Sequence, residues 1–220
     1  RRVTGYGYLK MDDIIRMMKQ PAETKRPSKP AVLVAGLPQE PYNLALSRTG
    51  QKLVVEDRFT NVTSWDLTGN EIEQWKKLGE FKSAVINDAL EWSPDETHFA
   101  WSWRKGQEYG FDLRSADCKS LKGWQFKELS PAGLNSARVA TFRYLAENRL
   151  YFSAHAIIKG VGRGSVGMIV DPTTGKTDRH FYEDSSGTYH PFGTASLDGT
   201  LAATTTERGM EAVIYSLVDG

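Results

Sequence analysis

Residues 93–103 read SPDETHFAWSW, and this stretch joins a turn signal to an aromatic strand. Ser93-Pro94-Asp95-Glu96 contains residue types that favour a tight turn, because proline presets one backbone angle and aspartate bonds its own backbone. The aromatic residues of the following segment, 98–103, are typical of a β-strand. The stretch therefore predicts a turn that leads directly into a strand.

The same plan recurs four times along the chain. Each turn signal is followed by a short apolar strand, a polar gap, a second strand and another turn. The last residues of the four turn signals are 50, 96, 148 and 199, so the successive steps are 46, 52 and 51 residues. The four signals are Ser47-Arg48-Thr49-Gly50, Ser93-Pro94-Asp95-Glu96, Leu145-Ala146-Glu147-Asn148 and Ser196-Leu197-Asp198-Gly199.

Short strands at this spacing predict an all-β fold. The strands that follow the turns are residues 52–55, 98–103, 150–153 and 201–205. The later strands of the four units are residues 63–67, 109–113, 167–171 and 213–217. A period of about 45 to 50 residues with about four strands per unit indicates β-propeller blades. We therefore expect about four blades, possible members of a larger ring, with aromatic residues packed between them.

The repeat resembles a known family over roughly residues 42 to 220. Ser93-Pro94-Asp95-Glu96 and Ser196-Leu197-Asp198-Gly199 look like the S-P-D-G turn of TolB-like propeller repeats, the WD40-like (PD40) group. Trp65-Asp66 is similar to the WD dipeptide of such repeats and occurs once. The resemblance implies a propeller fold, which hosts many different functions.

The first part of the chain has a different character. Met11, Ile14, Ile15 and Met18 fall on one face of a predicted helix that Pro21 ends. We expect this short helix to pack on the propeller or to dock a partner. The sequence thus predicts a helix and linker over residues 1–31 and blades over residues 32–220, divided at approximately 32–78, 79–126, 127–181 and 182–220.

The segment Gly162-Arg163-Gly164-Ser165-Val166-Gly167 fits G-x-G-x-x-G but does not predict a dinucleotide site. Such a loop must open a helix, whose free N–H groups bind the phosphates. Here an apolar strand follows and Pro172 stops it. We expect instead a flexible connection between two strands of the third blade, with Gly162, Arg163 and Gly164 as candidate partner-binding residues.

A second candidate loop lies at residues 185–191. Ser185, Tyr189 and His190 bring together a hydroxyl, a phenol and an imidazole, which suits a partner-binding loop at the propeller rim. Sequence proximity of serine, histidine and an acid does not indicate a catalytic triad, which is defined by geometry. The chain contains no G-x-S-x-G elbow and no H-E-x-x-H motif. The sequence therefore predicts no catalytic residue.

Composition restricts the possible ligands and partners. With 28 basic and 27 acidic residues the net charge is +1, which gives no electrostatic reason to expect nucleic acid. No apolar run approaches the roughly 20 residues of a membrane span. The single cysteine, Cys118, excludes an internal disulfide framework and a thiolate metal cluster. We expect no cofactor and no metal, and a protein as the partner.

The function that these features favour is a non-catalytic propeller scaffold that binds a protein through its loops, and an enzyme is the less favoured class. One alternative is the gating propeller of a prolyl-oligopeptidase-type serine peptidase, whose hydrolase domain this chain does not show. Another is a periplasmic TolB-like envelope accessory protein. The start at Arg1 and the end on a turn at Gly220 lead us to expect further polypeptide, and the compartment stays open between cytoplasm and periplasm.

Overall fold

A computed structural model describes most of the chain. The described residues are 7–9, 41–68, 74–83, 89–106, 108–129, 134–158, 162–184, 193–196, 198–205 and 212–216. The predicted helix at residues 11–19 and the linker that follows it lie outside these ranges.

The described chain folds into four antiparallel sheets of four strands each. The first sheet contains β2 (Pro41–Leu46), β3 (Lys52–Asp57), β4 (Asn61–Asp66) and β5 (Lys76–Lys82). The second sheet contains β6 (Leu90–Trp92), β7 (His98–Lys105), β8 (Glu108–Ser115) and β9 (Ser120–Gln125). In both sheets each strand pairs with the next along the chain, and a four-residue helix, α1 (Phe126–Leu129), follows the second sheet.

The third and fourth sheets follow in chain order. The third contains β10 (Leu134–Tyr144), β11 (Leu150–Ile158), β12 (Gly162–Val170) and β13 (Thr177–Asp184). The fourth contains β14 (Gly193–Ala195), β15 (Leu201–Thr205) and β16 (Ala212–Ser216), with β1 (Gly7–Leu9) as its outer strand. In β1, Gly7 pairs with Ile214 and Leu9 with Ala212. The prediction of an all-β fold is therefore confirmed.

Apolar side chains fill the spaces between successive sheets. Between the first two sheets lie Val54, Val62, Trp92, Phe99 and Trp101. Between the second and third lie Phe111, Phe126, Phe152, Met168 and Val170. Between the third and fourth lie Leu145, Tyr151, Ile169, Ala195 and Ala202. Strand side chains alternate between two faces, so each middle sheet contributes one face to each neighbour.

Strand β7 shows why the aromatic stretch decides the fold. Phe99 and Trp101 point into the first interface, whereas Ala100 between them points into the second. All three are buried, at 0, 3 and 0% exposure. A strand buried on both faces reads as a continuous apolar run, which is what residues 99–101 show.

The predicted turns have a common hydrogen-bond pattern. The Ser93 hydroxyl donates to Asp95 Oδ1 over 2.6 Å, and the Ser196 hydroxyl donates to Asp198 Oδ1 over 2.6 Å. Each serine hydroxyl also accepts the N–H of the residue five positions later. The fourth turn residue is left-handed, with φ of 69° at Gly199, which favours glycine there. Serine and aspartate thus close the second and fourth turns and lead into the next strand.

The structure corrects the prediction for the segment GRGSVG. These residues begin strand β12 instead of forming a flexible connection. Arg163 pairs with Ile157, and Gly164 pairs with Ala156 on one side and Asp184 on the other. Backbone pairing to strands on both sides compensates for the weak strand propensity of glycine. Among the described residues, no helix is long and apolar enough to cross a membrane.

Candidate functional site

A cleft of about 600 Å³ opens where the four sheets converge. Its walls are the ends of the inner strands β2, β6 and β10, and its mouth is surrounded by the repeat turns. The lining residues are Ala45, Leu46, Arg48, Leu90, Glu91, Trp92, Pro94, Arg143, Tyr144, Leu145, Ala146 and Asp198. The first three sheets contribute most of these residues, and the fourth contributes Asp198.

Glu91 and Arg143 occupy equivalent places in their repeats, two residues before the first turn residue. Glu91 belongs to the second sheet and Arg143 to the third, and the charge of Arg143 acts on the Glu91 carboxyl group across the boundary between these sheets. Burial raises the pKa of Glu91 to about 7, although the backbone N–H of Tyr144 and the charge of Arg143 partly oppose that shift. A carboxyl group with this pKa can donate or accept a hydrogen bond near neutral pH.

Tyr144 lies beside Glu91 and is only 3% exposed. Its ring packs edge-on against His98 with the ring centroids 5.8 Å apart. Its hydroxyl is buried and makes no hydrogen bond to the described part of the chain. Burial raises the pKa of Tyr144, and the negative charges of Asp95 and Glu91 raise it further, so the phenol keeps its proton. It is therefore a donor held in the wall of the cleft.

Charged groups of opposite sign stand at the rim. Arg48 of the first sheet and Asp198 of the fourth both line the cleft and are exposed. Hydrogen bonds from the Ser196 hydroxyl and from Thr200 lower the pKa of Asp198, so this carboxylate is ionised at neutral pH. The rim thus offers one cation and one anion to an entering ligand.

Asp95 and His98 are neighbours of Tyr144 in the wall of the cleft. Burial opposes ionisation of Asp95, but hydrogen bonds from Ser93 and Thr97 outweigh it and hold its pKa at about 2. Burial lowers the pKa of His98, and the attraction of Asp95 only partly offsets that effect. Asp95 therefore stays negative at neutral pH and contributes to the raised pKa of Tyr144.

Glu96 joins the turn of the second sheet to that of the first. Its carboxylate accepts the backbone N–H of Thr49 over 2.7 Å and the Thr49 hydroxyl over 2.9 Å. The Lys52 ammonium donates to the Glu96 carbonyl oxygen over 2.6 Å. Glu96 holds the left-handed position that glycine fills in the fourth sheet, with φ of 57°. These bonds fix the relative position of two turns at the cleft mouth.

The lining has the chemistry of a binding site. Leu46, Leu90, Trp92 and Leu145 supply apolar surface, and a few polar groups converge on it. Ligand sites are commonly of this kind, since apolar walls bind and a few polar groups orient. Among the described residues, no group of three histidine, cysteine or acidic side chains could hold a metal ion.

The candidate residues from the sequence lie elsewhere. Gly162, Arg163 and Gly164 are in strand β12 of the third sheet and do not line the cleft. Ser185, Tyr189 and His190 lie outside the described residues. Their role as partner-binding residues stays a prediction.

Two side chains near turns are deeply buried. Cys118, whose neighbours in sequence Asp117 and Lys119 are exposed, is 4% exposed between the first and second sheets. Burial raises the pKa of its thiol, so the neighbouring lysine does not produce a thiolate. Glu56 is 1% exposed. The adjacent Asp57 caps its turn, because its carboxylate accepts the N–H groups of Phe59 and Asn61, each over 2.8 Å.

Sequence reasoning missed Glu91, Arg143 and Tyr144 because it used the repeat turns only to locate the strands and did not compare the residues just before each turn. A signal was present in the repeat itself. Aligning the turns places Ala45, Glu91, Arg143 and Thr194 at one position, where two adjacent units hold charged residues of opposite sign. Charged residues on short strands that otherwise pack into a core are informative, because charged side chains are seldom buried.

Comparison with known proteins identifies the architecture. No family model matches the chain, and no curated protein matches it in sequence. It is similar in structure to the β-propeller domain of Cps50 (Swd1) from Myceliophteria thermophila, a crystal structure, with a TM-score of 0.51. The chain is built of β-propeller blades. The match has 16% identity and covers 75% of this chain and 48% of that one, so the chain spans about half the length of that domain. At this identity the likeness shows the fold alone.

Proposed function

We propose that this chain is a non-catalytic propeller scaffold that binds a segment of a protein partner in the cleft. The observation that supports the proposal most directly is the convergence of Glu91, Arg143 and Tyr144 on an apolar cleft of about 600 Å³. A cleft of this volume accommodates a few amino-acid residues. The proposal places the partner at the inner-strand ends and moves it away from the loops named from the sequence.

The polar groups of the cleft match the needs of a polypeptide. An extended peptide presents both N–H donors and carbonyl acceptors, and it loses free energy where these are buried without partners. The Glu91 carboxyl can accept an N–H of the peptide, and the Arg143 guanidinium can donate to one of its carbonyl oxygens. Leu90 and Trp92 of the same wall can cover an apolar side chain of the partner.

The test starts from a random-peptide phage library selected on the whole chain. We expect selected peptides to bind the wild-type chain and to lose about tenfold in affinity with Glu91→Gln and with Arg143→Ala, since one missing charge-assisted contact costs about 1.4 kcal/mol or more. Lys119→Ala is the matched control, because Lys119 is exposed in the β8–β9 turn away from the cleft. Peptides that bind both cleft variants as tightly as the wild type would contradict the proposal.

The two alternative functions stay predictions. A gating propeller of a peptidase and a TolB-like envelope protein would both use this fold, and a match at 16% identity does not separate them. Each requires a property beyond the fold: a covalently attached hydrolase domain for the first, and export to the periplasm for the second.

A further inference from the structure

Glu91 is placed in the wall of the cleft by its position in strand β6. Its neighbours Leu90 and Trp92 belong to the apolar packing between the first two sheets. Side chains alternate along a strand, so the Glu91 carboxyl group points to the opposite face of the second sheet. There it accepts the backbone N–H of Tyr144 and lies within the influence of the Arg143 charge, both from the third sheet.

Opposing influences leave this carboxyl group close to the balance between its neutral and ionised forms. Burial favours the neutral form, whereas the Tyr144 N–H and the Arg143 charge favour the ionised form. Burial has the larger effect, so the pKa of Glu91 rises to about 7. One further hydrogen-bond donor from a ligand would favour the carboxylate, because a bond to the charged form stabilises that form.

The charged and ionisable side chains around this carboxyl group keep one charge state near neutral pH. On β10, burial raises the pKa of Tyr144, so the phenol stays neutral. In the turn after β6, Asp95 has a pKa of about 2, and at the rim the pKa of Asp198 is lowered, so both stay negative. Arg48 and Arg143 stay positive, as arginine does in proteins.

We infer, given the peptide binding proposed above, that a partner segment displaces the proton of Glu91 as it binds, so that the cleft holds the segment at pH 8 and releases it as the pH falls to 6. A backbone N–H of the segment donates to the Glu91 carboxylate, and the displaced proton passes to the buffer. An N–H bond to a carboxylate is roughly twice as strong as one to a neutral acceptor, so the ionised cleft binds more tightly.

Isothermal titration calorimetry on the whole chain tests this proton release. The probe is a peptide that is selected on the chain at pH 8, lacks histidine and has acetylated and amidated ends. A carboxyl group with a pKa of about 7 is ionised in about one molecule in ten at pH 6 and in about nine in ten at pH 8. We therefore expect the affinity to rise about tenfold from pH 6 to pH 8.

Titrations in two buffers of different ionisation enthalpy count the protons. We expect release of about one proton per peptide at pH 6 and almost none at pH 8. A wild-type chain that binds the peptide equally at both pH values, without proton release, would overturn the inference and leave peptide binding itself intact. If no peptide binds at pH 8, the inference and the proposed function are both overturned.

Variants assign the proton to Glu91. Glu91→Gln should bind at both pH values about as weakly as the wild type does at pH 6, since glutamine is neutral like the protonated acid. Arg143→Ala should move the midpoint of the pH dependence to higher pH, because the Arg143 charge favours ionised Glu91. Glu108→Gln is the matched control, because it makes the same substitution at an exposed position outside the cleft and should keep the wild-type profile.

His98 provides a second control, because it packs on Tyr144 and burial lowers its pKa below the ordinary 6.5. Whatever its effect on affinity, His98→Gln should keep the midpoint of the pH dependence at about 7. A pH dependence that survives Glu91→Gln and disappears in His98→Gln would assign the proton to His98 and overturn the inference. Far-ultraviolet circular dichroism at each pH verifies that each variant is folded.

Discussion

At the scale of single residues, the cleft depends on groups held in uncommon states. Glu91 is a carboxyl group whose pKa burial raises to about 7, and Tyr144 is a phenol buried at 3% exposure. Neither state favours stability, because a buried polar group costs free energy unless it is fully hydrogen-bonded. Such positions are expected where binding, and not folding, requires the residue.

Glu91 gives a prediction on pH and stability. Its pKa rises on folding from the ordinary 4.5 to about 7, so the folded chain binds the proton more tightly. The stability that this proton contributes is complete below pH 4.5 and is lost as the pH rises through 7. Glu91→Gln should therefore raise the free energy of unfolding at pH 8 by about 2 kcal/mol relative to wild type and change it little at pH 4.

Chemical denaturation at the two pH values measures this difference. Glu108→Gln serves as the control, because it makes the same substitution at an exposed position. If Glu91→Gln destabilised the chain equally at both pH values, the carboxyl group would be an ordinary hydrogen-bond acceptor.

At the scale of secondary-structure elements, contacts made by turns hold neighbouring sheets together in addition to the apolar packing between their strands. Glu96 holds two turns together through Thr49, and the outer strand β5 touches the β8–β9 turn. These contacts lie between the hydrophobic interfaces and solvent. They fix the orientation of the sheets, which apolar packing alone specifies weakly.

Glu96→Ala should lower the free energy of unfolding by about 1–3 kcal/mol at pH 7, since it removes two hydrogen bonds to a carboxylate. Burial opposes ionisation of Glu96, but the bonds from Thr49 lower its pKa below the ordinary 4.5. Its contribution is therefore present above pH 4.5 and is lost as the pH falls through the lowered value. Urea unfolding at pH 7 and at acid pH measures both effects.

Glu147→Ala is the matched control for Glu96→Ala, because Glu147 has a similar φ of 59° but is exposed. Its effect should lie within about 0.5 kcal/mol. Equal losses in the two variants would show that backbone strain, and not the link between turns, decides the result.

A second contact between elements joins Gly79 of strand β5 to the β8–β9 turn. A Cβ atom at this position would lie 2.2 Å from the backbone oxygen of Asp117 in the β8–β9 turn, which cannot move independently. Gly79→Ala should destabilise the chain by about 1–3 kcal/mol through overpacking. Thermal unfolding should show a smaller loss for Gly123→Ala, where the nearest atom is the tip of the Asp112 side chain. A neutral Gly79→Ala variant would mean that the two sheets are not in this contact.

The secondary-structure elements also show which parts of the fold can be predicted from the sequence. The second and fourth turn signals predict their sheets because Ser93, Asp95, Ser196 and Asp198 make local bonds that depend on few neighbours. Strand β12 escaped prediction because its glycines are stabilised by pairing with β11 and β13, which is not a local property. The role of Glu91 was not predicted for the same reason, since the burial that raises its pKa exists only in the assembled sheets.

At the scale of the whole molecule, the four sheets together line the cleft. The first three sheets supply most of its lining residues, and the fourth supplies Asp198 at the rim. The packing between successive sheets therefore decides whether the polar groups of the cleft converge.

The central claim is that a partner segment binds at the inner-strand ends, and amide hydrogen exchange tests it most directly. The whole chain would be measured with and without a peptide selected on it. We expect the peptide to slow exchange mainly in β6 and at the Arg143–Leu145 end of β10, because these segments form the cleft wall. Protection confined to outer strands such as β9, with β6 and β10 unchanged, would contradict the account.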